Sequence, residues 1–93
     1  MFKCVVRMFG LPPEVSELRS VQIVLNEGAN LADLIAGLKS RIPALEGQVI
    51  RPGENRLTEQ YTFDINGCFY FDDSELHLKD GDSIALLILI TGG

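Results

Sequence analysis

The sequence predicts one α+β domain, a mixed sheet of about four to five strands with one principal helix on one face. Three observations predict it. Two strand-like segments precede a single helical stripe, three more follow it, and no internal repeat or linker interrupts the series. We place the domain at residues 1–90 and a flexible C-terminal tail at residues 91–93.

Two strands open the chain. Phe2 to Phe9 alternates with a period of two, which is typical of a half-buried strand, and Phe9 falls on the outward row. Gly10-Leu11-Pro12-Pro13 ends that strand. Ser20 to Leu25, rich in Val and Ile, predicts a second strand. Because the two segments are close in sequence, we expect them to pair antiparallel.

One helix follows. Asn30 opens it, with Asp33 three residues later in an arrangement that resembles a capping box. Pro43 disfavours helical backbone at the residue before it, so the helix should end near Arg41. The apolar residues at helical spacing form one stripe that we expect to face the core: Leu31, Leu34, Ile35, Leu38 and Ile42.

A long loop and a hairpin come next. Prolines, glycines and mixed charges predict a long loop over residues 44–60. We expect Val49 and Ile50 to anchor it. Tyr61 to Ile65 alternates as a strand, and Asn66-Gly67 is a strong hairpin signal. Cys68 to Phe71 is the expected returning strand.

The final strand is apolar on both faces. Leu78 to Asp82 forms a tight turn into it, and we expect it to lie beside the first strand at the centre of the sheet. One helix can cover only one face of the sheet, so one apolar row is a candidate docking surface. The expected partner-binding residues are Phe9, Leu87, Leu89 and Thr91.

Composition argues against several functional classes. The formal net charge of −5 and a pI near 4.6 disfavour nucleic-acid binding and favour partners with basic surfaces. The longest apolar run, Ile84 to Ile90, is too short to span a bilayer, and a signal peptide is not apparent, so we expect a cytoplasmic protein and no membrane partner.

The side chains that usually carry chemistry are few. Cys4 and Cys68 fit no metal or disulfide framework and are expected in the core, and His77 is expected to be structural. No nucleophile–base pair or metal-ligand set is visible, so we expect neither an enzyme nor a bound cofactor.

The sequence ends in Thr91-Gly92-Gly93. Glycine lacks a Cβ, so two in a row form a thin and pliable segment that can pass through a narrow channel. Such a tail can present its carboxylate to an active site in another protein. The alternative is a frayed chain end, because termini are commonly disordered.

Four local signals coincide with the order of the elements. Together they resemble the ubiquitin-like sulfur-carrier family, which includes the small subunit of molybdopterin synthase and the thiamine sulfur carrier. The signals are Asn30 to Ile35 at the helix start, Ile65-Asn66-Gly67 at the hairpin, Leu78 to Ala85 entering the last strand, and Thr91-Gly92-Gly93 at the end.

The resemblance implies a β-grasp fold and a chemistry for the terminus. A ubiquitin-activating-type adenylyltransferase would use Mg-ATP to adenylate the carboxylate of Gly93, and sulfur from a persulfide donor would replace AMP to leave a thiocarboxylate. Gly92 would thread the channel. The sulfur would then pass to a precursor in the active site of the molybdopterin synthase large subunit or an equivalent acceptor.

The chain departs from the family pattern at two places. Ile88-Leu89 stands where small subunits of molybdopterin synthase often carry two prolines, and residues 44–60 exceed the corresponding loop of compact thiamine carriers. Molybdopterin biosynthesis is the first choice, and a thiamine-type or other sulfur carrier is the second. The rival functions are a ubiquitin-like protein modifier and a non-catalytic interaction module.

Overall fold

The structure, a computed structural model, describes residues 1–11, 19–70 and 76–89. These residues form five strands, one α-helix and one turn of 3-10 helix at Pro43–Leu45. In chain order the principal elements are β1 (Phe2–Phe9), β2 (Ser20–Leu25), α1 (Leu31–Arg41), β3 (Tyr61–Ile65), β4 (Cys68–Tyr70) and β5 (Ile84–Ile88).

The five strands form one mixed sheet in the order β2-β1-β5-β3-β4. The pair β1–β5 is parallel, and the pairs β1–β2, β3–β5 and β3–β4 are antiparallel. The last strand therefore lies beside the first at the centre of the sheet, as the sequence predicted. This is the β-grasp topology, in which α1 connects β2 to the other half of the sheet.

The core lies between α1 and one face of the sheet. In β1 every second side chain is buried, so the period of two seen in the sequence is the inside–outside alternation of the strand. Leu34 and Leu38 of α1 are completely buried against this face. Replacing either by alanine would cost about 2–5 kcal/mol, because the buried site would be left with a cavity.

The ends of α1 are determined by local side chains. Asn30 Oδ1 accepts a hydrogen bond from Asp33 N at 3.0 Å, and Asp33 Oδ2 accepts one from Asn30 N at 3.1 Å, which confirms the capping box. Ile42, the residue before Pro43, leaves the helical region with φ −133° and ψ 82°.

Gly37 lets α1 lie close to β2. A β-carbon at that position would be 2.6 Å from Ile23 Cγ2, closer than real side chains approach one another. The glycine that weakens the helix intrinsically therefore has a packing reason.

The segment between α1 and β3 is anchored rather than loose. Val49 and Ile50 are completely buried, which confirms their predicted role. Glu46 ties the segment together: its Oε2 accepts a hydrogen bond from Gly53 N at 2.9 Å and lies 3.6 Å from Lys39 Nζ. The hydrogen bond from Gly53, followed by the charge of Lys39, lowers the pKa of the Glu46 carboxyl.

The Asn66-Gly67 turn joins β3 to β4 as predicted. Both residues have positive φ (54° and 90°), which is the backbone shape of a type I′ hairpin. Asp64 Oδ1 accepts a hydrogen bond from Gly67 N at 2.8 Å. Phe71, predicted to belong to the returning strand, lies outside the described residues.

The two cysteines differ, and the prediction for one of them is wrong. Cys4 is buried with 1% of its surface exposed, whereas Cys68 is exposed. The reason is position in the sheet: β4 is an edge strand on the side opposite β2, and α1 packs on the β2 side.

Among the described residues, no helix combines the length and apolar character needed to cross a membrane.

Candidate functional site

The candidate docking surface is the face of the sheet turned away from α1, which we call the outer face. Large apolar side chains stand exposed on it, among them Phe9 at 50% and Phe69 at 62%. Exposed apolar area of this kind is typical of a protein interaction site. The described residues of the outer face are Lys3, Val5, Arg7, Phe9, Ser20, Gln22, Val24, Thr62, Asp64, Phe69, Ala85, Leu87 and Leu89.

Phe9 and Leu87 lie side by side on the outer face. They are register partners in the parallel pair β1–β5, and Leu87 is in turn opposite Thr62 of β3. Thr62 is fully buried, and its Oγ1 donates a hydrogen bond to the Tyr70 carbonyl at 3.0 Å. The sequence anticipated that Phe9 would extend the row of Leu87 if the two strands were neighbours, and they are. Their role in docking stays a prediction.

The end of β5 is held from both sides. Leu89 N donates a hydrogen bond to the Gln60 carbonyl at 2.7 Å, so pairing with the β3 side continues one residue past the strand. On the β1 side, Gly10 packs directly against Ile88. The described chain ends at Leu89, between these contacts.

The predicted reacting end lies beyond the described part of the chain. Ile90, the last residue of the predicted domain, and the tail residues Thr91, Gly92 and Gly93 all fall outside the described residues. The surface around Leu89 is therefore the described region next to the predicted tail.

A depression of about 480 Å³ lies next to Phe9 at the end of β1. Two arginines belong to its described lining, and one of them, Arg7, donates from Nη2 to Ser83 Oγ at 3.2 Å. An acidic side chain of a partner would be the complementary group. Sequence reasoning missed this feature, because nothing in the local sequence places Arg19 near Arg7. The described lining is Arg7, Met8, Phe9, Gly10, Arg19 and Ser20.

The described ranges, residues 1–11, 19–70 and 76–89, contain two cysteines and one histidine. In those ranges, no group of three or more His, Cys, Asp or Glu side chains is placed so that it could hold a metal ion. His77 Nδ1 lies 2.9 Å from the Gly28 carbonyl, which ties the segment before β5 to the turn before α1, as its predicted structural role requires. Burial, followed by the charges of Asp82 and Asp80, raises the pKa of the Cys4 thiol and suppresses its thiolate.

A protein family matches most of the chain. A model described as the ThiS family matches residues 6–93 of the chain. Comparison with curated proteins by sequence gave no match.

Solved structures share the fold. SAMP1 from Haloferax volcanii has a TM-score of 0.80 at 24% identity, with 98% of this chain and 99% of that chain covered. A Pyrococcus furiosus protein described as molybdopterin converting factor subunit 1 has a TM-score of 0.75 at 24% identity, covering 97% and 100%. A chain of the Amycolatopsis orientalis BexX/CysO complex has a TM-score of 0.66 at 20% identity, covering 96% and 98%. At these identities the likeness establishes the fold alone.

Proposed function

Because the chain belongs to the ThiS family, we propose that it is a sulfur carrier whose terminal glycine, Gly93, is adenylated and then converted to a thiocarboxylate. The observation that carries the proposal is the family match, which runs from residue 6 through Gly93 and so includes the Thr91-Gly92-Gly93 sequence. In this proposal the protein acts as a co-substrate, and catalysis belongs to its partners.

The proposed chemistry has three steps. A carboxylate oxygen of Gly93 attacks the α-phosphorus of Mg-ATP in a ubiquitin-activating-type adenylyltransferase, and pyrophosphate leaves. The terminal sulfur of a persulfide donor then attacks the acyl carbon and AMP leaves, which gives an acyl disulfide. A thiol attacks the other sulfur of that disulfide, so a new disulfide forms and the thiocarboxylate is released. Gly92 would pass through the narrow channel of the active site.

We assign the carrier to molybdopterin biosynthesis, as the small subunit of molybdopterin synthase, with the large subunit as sulfur acceptor. The likeness in fold and length to the Pyrococcus furiosus converting-factor subunit supports this choice. A thiamine-type or other sulfur carrier is the alternative, because Ile88-Leu89 replaces the proline pair expected of the first choice.

Docking to these partners would use the outer face. Phe9 and Leu87 form adjoining apolar contacts there, and Leu89 extends them toward the tail, where Thr91 would follow. The arginines of the neighbouring depression would attract acidic side chains of a partner. That one structural neighbour is recorded as part of a two-protein complex is consistent with a protein partner.

A reducing cytoplasm is the proposed location. Both Cys4 and Cys68 are free thiols, and the second is exposed. An exposed unpaired thiol is best preserved where glutathione and thioredoxin keep cysteines reduced.

The test is the intact mass of the protein purified from its native host without reductant. The expected species is heavier by the difference between sulfur and oxygen, and fragmentation places that difference on Gly93. Failure to form an adenylate with ATP and the host activating enzymes, together with an unmodified mass, would overturn the proposal. A reductant-resistant ladder of conjugates that needs Gly92-Gly93 would instead identify a ubiquitin-like modifier.

A further inference from the structure

The edge strand β2 leaves part of its backbone unpaired. On the β1 side, Arg19 O accepts from Met8 N at 2.8 Å, so the odd-numbered residues of this segment face β1. The Gln22 carbonyl instead accepts from Arg41 Nη1 at 3.3 Å, on the side away from the sheet. Since neighbouring residues of a strand point their backbone groups in opposite directions, Gln22 and Val24 both present N–H and C=O groups outward.

Apart from the Arg41 side chain, the described part of this edge lacks the usual protection against a further strand. Natural edge strands carry charges, prolines or bulges that block pairing. Ser20–Leu25 carries no charged residue and no proline, and it pairs with β1 in uninterrupted register. Val24, the residue before the last of this strand, is 56% exposed.

A groove of about 230 Å³ runs between this edge and α1. Its α1 side is low, because Gly37 has no side chain and Ser40 has a short one. Arg41 stands at its rim and reaches the Gln22 carbonyl. An extended peptide laid along the edge would therefore find space for its side chains and a cation beside its backbone.

The charge at this edge is opposite to that of the protein as a whole. The chain has a formal net charge of −5. Nevertheless, three cations stand around β2, namely Lys3 on the neighbouring strand, Arg19 directly before β2 and Arg41 at its outer side, whereas Glu27 beyond its end is paired with the N-terminal ammonium at 3.6 Å. An acidic segment would be attracted to this edge more than to the rest of the surface.

We propose that β2 is a docking edge for an extended acidic segment of a partner protein, which adds to the sheet as a sixth strand. Its backbone pairs with the outward groups of Gln22 and Val24, and its acidic side chains lie near Lys3 and draw the Arg41 guanidinium away from the Gln22 carbonyl, which that guanidinium occupies in the free protein. Main-chain pairing of this kind supplies affinity, and the flanking charges supply selectivity. The edge is separate from the outer-face contacts around Phe9 and does not depend on the tail chemistry.

The test is a titration of the full ¹⁵N-labelled chain with two capped synthetic peptides. Both have the same alternating valine and threonine core, flanked by glutamates in one and by lysines in the other. The glutamate peptide is expected to shift the amide signals of Gln22 and Val24 and to slow their hydrogen exchange. No shift at these amides at about 1 mM peptide, or equal binding of the lysine peptide, would overturn the proposal.

Single substitutions distinguish docking at the β2 edge from nonspecific electrostatic attraction of the peptide. Arg41→Glu is expected to weaken binding at least about fivefold, while Lys79→Glu, which changes the net charge equally at an exposed position outside the groove, leaves it within about twofold. Val24→Pro removes an outward N–H without removing a bond to β1 and should abolish binding, provided that the spectrum remains folded. Equal effects of the two charge reversals would overturn the assignment. If the Gln22 amide signal shifts with protein concentration in the absence of peptide, the segment that docks on this edge belongs to a second copy of this chain and not to a partner protein.

Discussion

Gly10 and Ile88 are in such close contact that a β-carbon at position 10 would overlap the Cγ2 methyl of the isoleucine. Gly10 also has φ +75°, a conformation that side chains with a Cβ rarely adopt. The end of β1 is therefore fitted to the end of β5 by a residue without a side chain. The contact lies one residue before Leu89, where the described chain ends.

Gly10→Ala should lower the free energy of unfolding by about 1–3 kcal/mol, because it combines backbone strain with a clash. Chemical denaturation measures this directly. The matched control is Gly53→Ala: its φ is +73°, and a β-carbon there meets nothing within 4 Å. The control carries the strain alone and should be the milder of the two. Equal losses of unfolding free energy in the two variants would show that the clash with Ile88 adds nothing to the destabilisation.

Phe9→Glu should weaken docking far more than folding. The side chain is half exposed, so its replacement should change the free energy of unfolding by less than about 1 kcal/mol. If it is an anchor of the outer face, kcat/KM for adenylation by the activating enzyme should fall about tenfold or more. A large drop in thermal stability with unchanged adenylation would show instead that this position belongs to the core.

Phe69→Glu is the matched control for that experiment. Phe69 is also an exposed aromatic side chain of the outer face, at 62%, but it lies on the edge strand β4, two strands away from Leu87. Adenylation should be less affected than by Phe9→Glu. A greater effect at Phe69 would move the docking surface to the β4 side of the sheet.

The two cysteines should differ in reactivity toward an aromatic disulfide reagent. Cys68 is exposed and should react in the folded protein, whereas Cys4 is buried, with its thiolate suppressed, and should react only after unfolding. Comparison of Cys4→Val with Cys68→Ser assigns each reaction. Rapid labelling of Cys4 in the folded protein would contradict the burial described for β1.

The raised pKa of Cys4 also predicts a direction for stability in alkali. The folded protein holds this proton more tightly than the unfolded chain, whose pKa is near the ordinary value of 9.0. As pH rises above that value the unfolded chain loses its proton first, so the free energy of unfolding falls. Cys4→Val should show a shallower decline over the same pH range, and an identical decline would assign the effect to other groups.

The features that the sequence predicted correctly are those encoded locally or by period. Asn30 and Asp33 are three residues apart, so their reciprocal hydrogen bonds follow from helix geometry. Asn66-Gly67 needs no distant residue to form its turn. The apolar residues on both faces of β5 agreed with the expectation that it lies at the centre of the sheet, beside β1, and the strand order confirms that position.

The features that were missed depend on contacts between distant segments. Gly10 was interpreted only as the end of a strand. A glycine is needed there because Ile88, far along the chain, leaves no space for a β-carbon. Arg41 read as the last residue of a helix, but it also reaches the edge of β2. Cys68 looked like a core residue because cysteines usually are, and only the order of strands shows that it lies at an edge. Periodicity fixes which way a side chain points, but not what covers it.

The last prediction separates the tail from the domain. Gly92→Val and the addition of one alanine after Gly93 should each abolish formation of the thiocarboxylate, because a bulky or extended end cannot place the carboxylate in a narrow active site. Both changes lie in the predicted tail, so we expect the free energy of unfolding to stay within about 0.5 kcal/mol of the parent. Gly92→Ala is the graded control and should retain more activity than the valine variant. Intact mass after incubation with ATP, the activating enzyme and a persulfide donor measures the outcome. Normal sulfur loading of the extended chain would rule out Gly93 as the reacting residue.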